Sequence, residues 1–275
     1  MLTLGMLFFK RSCARIQRLM MNDLKKYLWN NDKQSAISLT FDDGMKSHLD
    51  LAIPILENFG LAGTFYPIAN GDWMASLDRF RPVFENGHEI GNHSIHHWCS
   101  CASSINLDNI GLEYRTFDEL EFELQAADRR FRSVFPEINQ WSFCYPCYNT
   151  FVGRGRERQS YVPVVASHFF AARAGCEMSV AINSPYHADL HCLNSWKCEH
   201  RSAGDLIGLV ERTNDLGGWS IFTFHGIGEG HLPVERYDFE KLCEYLDEAR
   251  DHLWVAPLID VAKDLYNSQM INESE

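Results

Sequence analysis

Two adjacent carboxylates, Asp42 and Asp43, close an apolar run, Ile37-Ser38-Leu39-Thr40-Phe41, and are followed at once by Gly44. The run reads as a buried strand, and charge at the mouth of such a strand is costly unless something uses it. Gly44 lets the backbone turn sharply right after the pair. Further along, His93-Ser94-Ile95-His96-His97 supplies a second group of ligand-type side chains, and the apolar run Trp219–Phe224 delivers His225. An acid pair, a histidine pair and a lone histidine, each at a strand or loop end, are the parts of a hydrolytic metal site.

His93 and His97 are four apart. On a helical turn that spacing puts both rings on one face, able to share one metal. Asp43 can supply the carboxylate ligand, and such a set leaves positions open for water and substrate. Asp42 is then free as a general base, and His225, from the opposite side, can protonate a leaving group. His96 keeps a second register open, because His93 and His96 are also a ligand-type pair. The competing reading is two surface carboxylates and a histidine-rich loop; both motifs occurring in order, each after a strand, weigh against it.

The elements that must carry these residues alternate between strand and helix, which predicts an α/β fold with a largely parallel sheet or barrel. A helix is expected over Ser47–Asn58, interrupted by Pro54, with a strand over Leu61–Ala69 and a short strand over His88–Gly91. Thr116 and Glu119 form a capping box for a helix over Thr116–Phe135, with Leu120, Leu124, Ala127 and Phe131 as its apolar stripe. Strands follow over Gln140–Tyr145 and Phe169–Gly175. Asp205–Leu216 reads as a helix ended by Gly217-Gly218, then the Trp219–Phe224 strand, a helix over Tyr237–Asp251 and a closing helix over Leu258–Tyr266. Trp98–Leu112 and Asn149–Arg158 read as loops over the site.

With 275 residues, 45% of them hydrophobic and 23% charged, the chain can bury a large core. A formal charge of −12 argues against nonspecific nucleic-acid binding and against an anionic membrane surface. No stretch reaches the length of a transmembrane span. Met1–Phe9 is apolar, but Lys10-Arg11 follow it rather than precede it, so a secretory signal is not evident and a cytoplasmic protein is expected. A start at Met20 or Met21 would remove that segment. Nine cysteines, an odd and scattered set, do not read as a disulfide framework, and most are expected reduced. Cys144-Tyr145-Pro146-Cys147 has the spacing of a redox pair but lacks the following helix. Cys192, Cys198 and His200 are a weak second cluster. Trp98, Trp141, Tyr148 and Trp196 are candidates for stacking on sugar rings, and Arg154, Arg156 and Arg158 for contact with an anion.

Thr-Phe-Asp-Asp-Gly at 40–44, His-Ser-x-x-His at 93–97, Phe-Cys-Tyr-Pro at 143–146 and His225 after its strand resemble the motifs of the polysaccharide deacetylases, carbohydrate esterase family four. By residue, the resemblance covers nearly the whole chain, from 35 to about 267. It implies a single-domain distorted (β/α) barrel over 35–270, with 1–34 as an N-terminal extension and 271–275 as a tail. It implies one divalent metal ion, usually zinc, and removal of N- or O-linked acetyl groups from a saccharide. Carried over by motif, Asp42 is the base, Asp43, His93 and His97 the ligands, His225 the acid, and the backbone N–H of Cys147 the oxyanion donor. Cys144 stands where many members have an arginine that orients the base. Arg173, on the following strand, can replace it and keep Asp42 ionised. The family's tryptophan-and-aspartate fourth motif is not evident. Two other readings stay open: an amidohydrolase of a small cyclic amide such as allantoin, and a catalytically inactive sugar-binding protein. The expected substrate is an acetylated oligosaccharide or a small amide, with no nucleic-acid or membrane partner and no oligomeric state specified.

Overall fold

The structure is a computed structural model that describes residues 27–103, 111–175 and 181–272. Most of the expected N-terminal extension, including the apolar start and both alternative methionines, lies outside the described residues. The described chain is packed well before residue 35: Trp29 is buried, and its indole Nε1 donates to the carbonyl of Gly217 at 3.1 Å.

Strand β1 (Ser35–Asp42) is buried along its whole length and is the hub of the sheet. A strand covered on both faces needs a continuous run of apolar and small residues, as this one has. β1 pairs in parallel with β10 (Trp219–Phe224) along one edge. On its other edge the first half pairs with β11 (Leu253–Val255) and the second half with β2 (Thr64–Tyr66), both in parallel. β3 (Glu89–Ile90) continues beyond β2. β4 (Ser142–Cys144) and β7 (Ala171–Arg173) form a separate parallel pair. Single bridges join that pair to the rest, Asn92 to Phe143 on one side and Arg173 to Leu193 on the other. From Leu193 the chain runs into β9 (Trp196–Lys197), which lies against β10. The ring is a (β/α) barrel distorted at two places, where isolated bridges replace ladders. β5 (Phe151–Val152) and β6 (Gln159–Ser160) make a small antiparallel hairpin outside it, and β8 (Ile182–Asn183) runs antiparallel on β10.

Helices cover the outside: α1 Ile53–Asn58, α2 Trp73–Asp78, α3 Arg81–Glu85, α4 Phe117–Val134, α5 Val162–His168, α6 Ala203–Leu216, α7 Arg236–Glu248 and α8 Leu258–Asn272. The α4 capping box and the left-handed Gly217 after α6 form as their sequences require. Ahead of α1 the chain makes a wide π-type turn over His48–Ala52. Pro54 has no N–H and would crowd the carbonyl four residues back, so the turn before it opens. The Asn149–Arg158 region is not plain loop, since it holds β5 and leads into β6. Of the Trp98–Leu112 loop, residues 104–110 lie outside the described residues. Among the described residues no helix is long and apolar enough to cross a membrane.

Phe41, Phe65 and Phe224 each precede the last residue or exit of a barrel strand, and their rings stack with centroids 4.7 and 5.4 Å apart from Phe41. Phe239 of α7 packs on two of them. At alternate positions Asp42 and Thr223 turn to the opposite face, where Arg173 meets both. At the strand beginnings Glu89 ties the barrel together. Its buried carboxylate accepts from Thr64 of β2 at 2.8 Å and from the Ile259 N–H of α8 at 2.9 Å, and it also meets Ser142 of β4. Replacing Glu89 by alanine strands these donors, so stability should fall by roughly 2–4 kcal/mol in urea unfolding. A change within about 0.5 kcal/mol, the size of a surface substitution, would contradict this role.

Candidate metal centre and active site

The end of β1 places its two aspartates differently. Asp42 is the last strand residue and is only 3% exposed. Asp43 takes φ +71° and Gly44 φ +61°, which swings the next carboxylate to the barrel mouth. Gly44 is required twice over, because a Cβ there would come within 2.9 Å of Pro67 Cβ.

Asp43, His93 and His97 converge, as their spacing suggested, but not on a helical turn. Residues 93–97 form an irregular loop after β3, with Ser94 at φ +63° and His97 at φ +50°. The loop is pinned from inside. Asn92 Oδ1 accepts the Ser94 N–H at 2.8 Å, and Glu123 of α4 accepts the N–H groups of Ile95 and His96 at 2.9 and 2.7 Å. His93 Nδ1 donates to the Cys144 carbonyl at 2.9 Å, which fixes the tautomer and leaves Nε2 facing Asp43. The two Nε2 atoms lie 3.4 Å (His93) and 3.5 Å (His97) from Asp43 Oδ1. That oxygen is buried and has no hydrogen-bond donor. Burial lowers His97 to about 4. Burial would lower His93 too, but the neighbouring carboxylates of Asp43 and Asp42 outweigh it and raise it. Burial is likewise outweighed at Asp43, where His93 holds the carboxyl low. A proton on His93 thus meets the Asp43 charge, and a divalent cation in the same place competes with that proton. One carboxylate and two imidazoles around an orphaned oxygen fit such an ion.

His96 faces the other way. Its Nδ1 lies 2.6 Å from Glu123 Oε2 and its ring stacks on Trp98, which Arg115 covers at 4.0 Å. The alternative register with His96 therefore does not converge on Asp43.

Asp42 meets Arg173. The fully buried guanidinium lies 2.5 and 2.6 Å from the two carboxylate oxygens, and its other end donates to Thr223 at 2.8 Å and Ser195 at 3.3 Å. Cys144 and Arg173 are direct partners in the β4–β7 register, so the cation reaches Asp42 from the strand beside the position where the motif lacks one. Cys144 is a neutral thiol, raised by burial, that donates to Asp42 Oδ2 at 3.5 Å. Burial pushes Asp42 up, but Arg173, His93 and His225 together hold it below its ordinary value.

His225 leaves the end of β10 beside the aspartates. Its carbonyl accepts from His48 Nε2 at 2.6 Å, while its ring Nδ1 is buried without a partner. Cys147 sits in the turn after β4 with φ +50° and is bonded to Cys99, with Cα atoms 5.5 Å apart. One pair departs from the reduced majority expected: distant chain segments brought together by the barrel supply this bond, while Cys101, Cys144, Cys198 and Cys243 are free thiols and Cys144 stays free of Cys147. Trp141 and Trp196 are core residues, whereas Trp98 and Tyr148 reach the surface. Arg154 and Arg158 lie over the rings of Tyr114 and Phe151. Cys192, Cys198 and His200 do not form a ligand cluster among the described residues. Glu123 escaped the sequence reading, although an acid at i+3 from Leu120 on an otherwise apolar stripe was its signal.

The model of the family described as polysaccharide deacetylase matches residues 30–150. A curated gellan lyase from a Bacillus species is 22% identical over 264 residues, covering 88% of this chain but only 10% of its own length. The chain therefore spans about a tenth of that relative. A candidate polysaccharide deacetylase from Mycobacterium smegmatis has a similar structure, with TM-score 0.59, 15% identity, and 88% of this chain and 94% of that one covered. A family 4 acetyl xylan esterase from Clostridium thermocellum, solved with a cobalt ion, gives TM-score 0.51 and 14% identity over 82% and 89%. A family 4 pseudoenzyme from Bacillus anthracis gives TM-score 0.51 and 14% identity over 84% and 66%. Residues 30–150 thus match the polysaccharide deacetylase family model, and the chain shares the barrel fold of these structures.

Proposed function

We propose that the chain is a metal-dependent deacetylase of acetylated saccharides. The observation that carries this reading is the orphaned Asp43 oxygen between two histidine nitrogens, next to a second aspartate held ionised by Arg173. The acetyl xylan esterase among similar structures supports an acetylated saccharide as substrate. The lyase relative is matched over too little of its length to lend its activity. A pseudoenzyme shares this fold, so the fold alone does not carry the reading; the two aspartates, His93, His97 and His225 do.

Asp43, His93 and His97 would hold the ion, for which zinc suits the donor set. When bound, it supplies Lewis acidity toward the acetyl carbonyl and acidifies water. Asp42, ionised, takes the proton of the attacking water, and Arg173 keeps its carboxylate aimed and charged. The Cys147 N–H donates to the acetyl oxygen as it gains negative charge. His225 gives a proton to the departing amine or hydroxyl, and acetate remains. Acetate release from acetylated oligosaccharides tests the reading; ring opening of a cyclic ureide without acetate release would favour the small-amide hydrolase.

His97→Ala should lose both bound zinc and turnover, while His96→Ala keeps the metal, as elemental analysis after dialysis will show. Zinc retained in His97→Ala and lost in His96→Ala would overturn the ligand set.

Asp42→Asn should keep zinc yet lower turnover by roughly 10²–10⁴. Arg173→Met should slow turnover and move the acid limb of the pH–rate profile upward. The sign follows from burial: with the guanidinium gone, nothing of comparable strength offsets the desolvation that raises Asp42. An unmoved profile would make Arg173 structural only.

His225→Ala should lose far more activity on an N-acetyl sugar than on an aryl acetate, because an amine needs a proton to leave and a phenolate does not. Equal losses on both substrates would remove His225 from the role of acid.

A further inference from the structure

The Cys99–Cys147 bond joins two loops that the chemistry needs in register. Cys99 lies two residues beyond His97, with its sulfur 3.6 Å from His97 Nδ1. Cys147 carries the backbone N–H assigned to the acetyl oxygen. The second loop is held by one short 3-10 turn over Pro146–Tyr148 and by Tyr161, whose hydroxyl donates to the Asn149 carbonyl at 2.8 Å; within that turn Cys147 and Tyr148 are successive non-glycine residues at φ +50° and +60°. Such positions persist only when their surroundings impose them. Besides the disulfide, Asn149 Oδ1 accepts the Ser100 N–H at 2.8 Å across the same gap. The ligand loop, by contrast, is also held by Asn92 and Glu123, which do not depend on the sulfurs. Cys99 is buried, whereas Cys147 is partly exposed, so a reductant reaches the bond from the Cys147 side.

We propose that the Cys99–Cys147 disulfide is a thiol-reversible positioning crosslink: closed, it holds the Cys147 N–H at its distance from the metal-holding loop; open, it leaves metal and base in place but slows turnover. The inference rests on the deacetylase reading, because it concerns the donor to the acetyl oxygen. The co-reactant is a dithiol. One of its thiolates attacks Cys147 Sγ, the bond to Cys99 breaks, and Cys99 leaves as a thiolate that takes a proton. The second thiol attacks the mixed disulfide, releasing Cys147 as a thiol and leaving the dithiol oxidised to a disulfide. Two electrons and two protons pass to the protein.

The test uses the full zinc-loaded chain, reduced with dithiothreitol, desalted without oxygen and checked for zinc content. Alkylation and mass mapping establish whether Cys99 and Cys147 have opened. Turnover of an N-acetylated oligosaccharide should fall roughly 10–100-fold, in kcat more than KM, with zinc retained and activity restored on reoxidation. The Cys99→Ser/Cys147→Ser variant should show the lower rate and no response to dithiol; Cys101→Ser, an exposed thiol outside the site, should behave as the parent. Hydrogen exchange at residues 98–100 and 147–149 should quicken on reduction. Open cysteines with unchanged turnover and exchange would overturn the proposal, as would a native bond that resists the dithiol or a double variant that still responds. If neither state releases acetate from any acetylated sugar, the deacetylase reading fails, and the exchange measurement alone then decides whether the crosslink positions these loops.

Discussion

A carboxylate buried inside a barrel keeps its charge only if a cation is buried with it, and the Asp42–Arg173 pair is that arrangement here. The two residues come from strands that share no ladder, β1 and β7. Their contact therefore crosses the interior and fixes how the β4–β7 pair sits against the main sheet. Thr223 and Ser195 take up further donors of the guanidinium, so the polar centre is largely satisfied. Such a pair is weak evidence for net stability, because desolvation offsets much of the attraction. What it provides is a charged group of fixed orientation at the strand ends, where an apolar core would leave none.

That constraint separates two adjacent aspartates that are chemically identical. Asp42 has its counter-charge within the protein. Asp43, turned outward by its own left-handed conformation and by Gly44, has none beyond a proton on His93. On the proposed reading, an asymmetry of this kind keeps one carboxylate for proton transfer and the other for a cation. The histidine loop serves the second aspartate by strained means. Left-handed Ser94 and His97 bring two rings together without a helix, and Glu123 holds the turn by its backbone.

The strands, the long helices and the residues of the centre were legible in the sequence because each has a local signature. β1 and β10 are continuous apolar runs, α4 carries its capping box, and the acid and histidine motifs stand directly after strands. Arg173 was legible only through the family resemblance, which places an arginine where Cys144 stands, and the next expected strand offered one; its pairing opposite Cys144 needed the fold. The rest depended on distance in space. The Cys99–Cys147 bond spans 48 residues, and no spacing rule connects its ends. The helical turn expected at His93–His97 failed because spacing alone does not distinguish a helix from a loop that reaches the same end by left-handed residues. The π-type turn before Pro54 follows from a proline that was seen, but its form depends on how the helix meets the barrel.

The ionised state of Asp42, held by Arg173, is the condition on which the rest of the site depends. The most direct measurement is a pH titration of the Asp42 side-chain carboxyl carbon by NMR, followed downward for as long as the chain stays folded. Asp42 should remain ionised below 3.8, its ordinary value, despite being buried. A midpoint at or above 3.8 would mean that burial outweighs the guanidinium, and Asp42 would not be the charged group on which the rest of the site is built.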